Sequence, residues 1–65
     1  MNKKEIAARL VRLRGDRTQA SVATGIGVSR SALAMYESGK RIPKDEIKAA
    51  IAKYYKRSVQ FIFFT

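Results

Sequence analysis

Residues 18–43, TQASVATGIGVSRSALAMYESGKRIP, leave this chain little choice of fold. Thr18 suits a helix N-cap, and the helix it opens, from Gln19 to Gly25 or Ile26, buries a stripe of Val22, Ala23 and Ile26. Gly27 turns the chain and Val28 packs inward across the turn. Ser29 caps a second helix, from Arg30 to Glu37 or Ser38, which Gly39 ends. A basic loop follows and closes at Pro43. Gly25 is the weak point: inside a helix it costs about 1 kcal/mol against Ala, or else it ends the helix early.

The flanks are also helical. Ile6, Ala7, Leu10 and Leu13 form an apolar stripe that predicts a helix over residues 3–14, with Asn2 as N-cap and Gly15 as its stop. Lys3, Lys4, Arg9 and Arg14 fall largely on its polar side. A further helix begins just after Pro43 and runs to Tyr54 or Tyr55, with Ile47, Ala50, Ile51 and Tyr54 as its inner face. Asp45 and Glu46 in its first turn and Lys53 in its last complement the helix dipole. Ser58 caps a short last helical turn, Val59 to Phe63. No segment alternates with period two, so the fold class is all-α: five helices in one domain, residues 1–65.

Composition narrows the function. The chain carries 14 Lys+Arg against 5 Asp+Glu, a net charge of +9, which calls for a polyanionic partner. Nucleic acid and anionic lipid are the two candidates. Cysteine and histidine are both absent, so disulfides, thiolate metal sites and the usual general base are missing. With so few carboxylates no catalytic constellation assembles, and no enzyme, cofactor, metal or small-molecule ligand is expected. No secretory signal is visible and no apolar run is long enough to span a bilayer, so a cytoplasmic location is expected.

Taken jointly, Arg12-Leu13-Arg14, Thr18-Gln19, Ala23, Gly27-Val28-Ser29-Arg30-Ser31, Tyr36-Glu37, Gly39, Arg41 and Pro43 resemble the phage repressor/Cro-type, or XRE-like, helix-turn-helix family. The likeness covers nearly the whole chain and implies a compact repressor-like domain that binds double-stranded DNA. Two positions depart from the family pattern. Arg17 stands where an apolar residue is usual, so either a core contact is lost or the Arg stem lies along the surface with its head outward. Gly25 stands where a longer side chain is common.

The resemblance makes the helix beginning at Arg30 the recognition helix. At about 100° per residue, Arg30, Ser31, Ala34, Met35 and Ser38 share the side opposite Leu33 and Tyr36. Arg30 and Ser31 are expected at base edges, where an Arg fork matches guanine. Ala34 and Met35 either meet thymine methyls or are incidental surface. Thr18, Gln19, Ser29, Ser38, Lys40, Arg41 and Lys44 are the expected phosphate contacts. Lys53, Lys56 and Arg57 lie elsewhere and are read as solvated or steering charge. The family likeness further implies an ion pair between Arg12 and Glu37. Phe61, Ile62, Phe63 and Phe64 are too many large apolar residues for one small core and form the expected homodimer interface.

The leading expectation is a transcriptional regulator, a repressor of phage or mobile-element type, bound as a homodimer to an inverted repeat. An antitoxin or accessory DNA-binding subunit is the nearer alternative. A membrane-surface binder using the basic first helix and the apolar end is the more distant one, and the charge lining the recognition helix and its loop argues against it.

Overall fold

The structure, a computed structural model, describes residues 2–65. Its helices are α1 (Lys3–Arg14), α2 (Gln19–Ile26), α3 (Arg30–Ser38), α4 (Asp45–Tyr55) and α5 (Val59–Phe63). Short polar side chains set most starts. Asn2 Oδ1 accepts from the Lys4 and Glu5 N–H groups at 2.9 and 3.1 Å. The hydroxyls of Thr18, Ser29 and Ser58 accept from Ser21, Ala32 and Phe61 at 3.1, 3.0 and 3.0 Å. Asn2 satisfies two, and each hydroxyl one, of the N–H groups that a helix start leaves without a partner. Gly27 (φ 98°) and Gly39 (φ 78°) end α2 and α3 in the left-handed region that glycine enters without steric cost.

Every helix contributes to one core. Leu10, Val22, Leu33, Ile51, Ile62 and Phe63 are essentially inaccessible, and they come from α1, α2, α3, α4 and α5 in turn. Helix α3 lies against α1 and α2, while α5 closes the far side against α1 and α4. Removing such a side chain costs about 2–5 kcal/mol, a large share of the stability of so small a domain.

Several sequence expectations are corrected here. The buried face of α4 is centred on Lys48, Ile51, Ala52 and Tyr55, whereas Ile47, Ala50 and Tyr54 are only partly covered. The face is rotated because α5 packs on it. Lys48 lies beneath α5, its ammonium 5.0 and 5.8 Å from the Phe64 and Phe63 ring centroids and 3.6 Å from Asp45. Ile62 and Phe63 are core residues of the single chain (0% and 1% exposed), so they offer no surface to a partner. Arg9 and Arg14 are half-buried rather than on a polar face. Arg9 donates to the Ile62 carbonyl and so ties α1 to α5.

Gly25 does not end α2; it lies within it, and a Cβ there would fall 2.3 Å from Cε1 of Tyr54. The glycine is what lets that ring lie on the helix backbone. Arg17 in turn covers both tyrosines, with its guanidinium carbon 5.4 Å from the Tyr54 centroid and 5.2 Å from that of Tyr55. Its Nε and Nη2 donate to the Arg14 and Leu13 carbonyls at 3.2 and 2.8 Å. The Arg head is therefore turned onto two rings and the end of α1, in place of the lost apolar contact.

Candidate DNA interface

Helix α3 is held from behind and free in front. Leu33, Tyr36 and Glu37 are buried, while Arg30 and Ser31 at its N-terminal end and Ser38 at its C-terminal end are exposed. Ala34 and Met35 are half-buried, so each offers part of its surface. Nine residues make a rod about 14 Å long, and its free face is lined by a guanidinium, hydroxyls and small apolar groups. A rod of that kind has the shape and donors that a DNA major groove accepts.

The expected phosphate donors fall into two sets. Lys40, Arg41 and Lys44 are exposed in the loop after α3. The start of α1 abuts this loop, since a Cβ on Gly39 would meet the Lys3 carbonyl oxygen at 3.4 Å. The Lys3 backbone therefore adjoins the basic loop, which the helical pattern of α1 alone did not reveal. The second set lies at helix ends. Thr18 and Ser29, before α2 and α3, spend their oxygens on capping but keep hydroxyl protons, whereas Ser38, the last residue of α3, gives its proton to the Met35 carbonyl at 3.2 Å.

Gln19 is half-buried and engaged inside the protein, its Nε2 donating to Glu37 Oε1 at 2.9 Å. Glu37 has a side chain only 3% exposed and also accepts from Arg14 Nε at 3.0 and 2.9 Å through its two oxygens. Arg14 Nη1 reaches on to the Arg17 carbonyl at 2.7 Å. The ion pair of Glu37 is thus with Arg14 and not with Arg12, which is exposed and has no ion pair among the described residues. The reason is geometric: Arg14, half-buried at the end of α1, brings its guanidinium to the carboxylate, whereas Arg12 is exposed to solvent. The carboxylate joins α1, α2 and α3 at one point.

Tyr55 borders this cluster. Its hydroxyl is buried without a hydrogen-bond partner, and burial together with the Glu37 charge raises its pKa above the ordinary 10.0. Among the described residues no group of His, Cys, Asp and Glu gathers as a metal site, and no helix is long and apolar enough to cross a membrane.

A basic all-α domain that buries the back of one short helix and presents its front between two sets of donors belongs to the DNA-binding class. A helix-turn-helix family profile matches residues 2–62, and the chain belongs to that XRE-type helix-turn-helix family. The crystal structure of the clp gene regulator ClgR from C. glutamicum superposes with a TM-score of 0.79 over 95% of this chain and 83% of that one. The two are 23% identical, so the likeness is one of fold. No curated protein sequence matches the chain.

Proposed function

We propose that this protein is a sequence-specific transcriptional regulator, a repressor of phage or mobile-element type, that binds an inverted-repeat operator as a homodimer. The observation that carries the reading is the exposure of Arg30 and Ser31 at the free end of a helix whose other face is locked into the core. Arg30 reads guanine, Ser31 a neighbouring base edge, and Ala34 and Met35 offer apolar surface to thymine methyls. Thr18, Gln19, Ser29, Lys40, Arg41 and Lys44 hold the backbone on either side, with Lys3 and Lys4 adding charge beside the loop, while Ser38 is turned to the Met35 carbonyl. The structural neighbour is itself a gene regulator, which accords with this role.

One such helix reads only a few base pairs, so a two-fold pair of domains about one DNA turn apart gives a longer address. With Ile62 and Phe63 in the core, the dimer surface contracts to Phe61 and Phe64, which are 47% and 50% exposed. Helix α1, which packs on α5, contributes a third exposed apolar residue in Val11. Selection of bound sequences from random DNA tests the reading. A shared palindrome supports it; a single unrepeated half-site, with a monomer in sedimentation, refutes the homodimer and favours an accessory subunit.

A further inference from the structure

A glutamine at a DNA backbone has an intrinsic ambiguity. Its amide presents a donating nitrogen or an accepting oxygen, and a phosphate, which only accepts, is served by the nitrogen alone. An unrestrained Gln presents the wrong end part of the time. In this chain the amide is not unrestrained, because its partner is the carboxylate of Glu37. A carboxylate ion-paired to Arg14 can only accept, so Nε2 must face it.

Nε2 carries two hydrogens, and Glu37 takes one. The other has no protein partner among the described residues, nor have the backbone N–H groups of Gln19 and Ala20 at the start of α2. Thr18 satisfies Ser21, the next N–H along. Arg14 completes the arrangement by neutralising a carboxylate that would otherwise repel a phosphate nearby.

We propose that Glu37 is the positioning residue of the α2 phosphate contact: it orients the Gln19 amide so that the free Nε2–H joins the Gln19 and Ala20 backbone N–H groups as one donor set for a phosphate. This deepens, and rests on, the phosphate role of Gln19 proposed above. Glu37 itself never touches DNA. Its effect on binding passes through Gln19, which separates positioning from mere support of the fold.

The test is a cycle of Gln19→Met, Glu37→Gln and the double variant, read as affinity for a short mixed-sequence DNA duplex at low salt, with helicity checked by circular dichroism. Gln19→Met is expected to weaken binding about threefold to tenfold, the worth of one hydrogen bond. Glu37→Gln, which frees the amide to flip, is expected to weaken it by a smaller factor, and to have no further effect once Gln19 is Met. An equal loss from Glu37→Gln in both backgrounds overturns the proposal. Should Glu37→Gln fail to fold, the unaltered protein decides. One Nε2 proton of Gln19, the one donated to Glu37, is expected to be protected from solvent exchange without DNA, and the other to be the one that shifts when duplex is added. Equal, unprotected exchange of both protons in the free protein overturns the proposal while leaving DNA binding intact. Absence of any binding to the duplex removes the DNA reading and the proposal together.

Discussion

Gly25→Ala sets two opposed effects against each other in one substitution. Ala is favoured over Gly in a helix interior by about 1 kcal/mol, so propensity alone predicts a stabler protein. The new methyl would fall 2.3 Å from Cε1 of Tyr54 and 3.0 Å from its Cδ1, far inside contact distance. The ring must move. It is not a loose surface group, because Arg17 stacks on it and Tyr55 meets it edge-on with centroids 5.1 Å apart. Displacing it forfeits about 0.5–1 kcal/mol of cation–π attraction and about 0.5–1.5 kcal/mol of aromatic pairing. Overpacking adds about 1–3 kcal/mol. The losses exceed the propensity gain, and the net destabilisation is about 1–4.5 kcal/mol. For a domain of this size that lowers Tm by roughly 4–35 °C. A thermal melt followed by circular dichroism reads it directly. In a Tyr54→Ala background the obstacle is gone, and the same substitution is expected to raise Tm instead. A Gly25→Ala protein that melts higher with Tyr54 in place refutes the argument that the glycine makes room for the ring.

Arg14→Gln and Glu37→Gln are each expected to destabilise by about 3 kcal/mol, since each leaves a charge without its partner in a half-buried site, and the double change by less than their sum. Arg12→Gln is expected to leave Tm unchanged, and thermal melts of the four proteins check both statements. Tyr55→Phe removes a buried hydroxyl that has no partner, so it is expected to be neutral or to stabilise by up to about 1 kcal/mol near pH 7. Because the Tyr55 pKa is raised in the folded state, the native protein holds that proton longer than the unfolded chain. Its contribution is therefore full below the unfolded value near 10 and is lost as pH rises beyond it, so alkaline denaturation followed by circular dichroism should be less steep for Tyr55→Phe. Phe63→Ala is expected to cost about 3–5 kcal/mol in thermal melts, whereas Phe64→Ser should leave a folded chain with a weaker dimer in sedimentation.

The helices and their ends were legible because their signals are local. Thr18, Ser29 and Ser58 cap where a short hydroxyl precedes an apolar period, and Gly27 and Gly39 stop helices where the backbone must turn left-handed. The exposed front of α3 followed from its period once its back was known. What escaped were pairings between helices. The family likeness points to Arg12 and the helical period leaves Arg14 on the polar side, and only the packing of α1 on α3 selects Arg14. Ile62 and Phe63 read as surplus until α5 is seen to lie across α4 and α1, leaving Phe61 and Phe64 outside. Lys48 was hidden for the same reason: a lysine beneath two aromatic rings satisfies its charge through geometry that no spacing encodes. Gly25 misled because its role belongs to Tyr54, distant in sequence.

The central claim is that α3 reads bases while the loop behind it grips the backbone, and the pair Arg30→Ala and Lys40→Ala separates the two. Both side chains are exposed, so neither change threatens the fold. The decisive measurement is the affinity of each variant for a selected operator and for a scrambled duplex across a range of salt. Arg30→Ala is expected to lose about 1–3 kcal/mol on the operator and little on the scrambled duplex. Lys40→Ala should weaken both alike and lower the salt slope by nearly one unit. Equal losses for Arg30→Ala on the two duplexes would contradict the assignment of α3 as the base-reading helix.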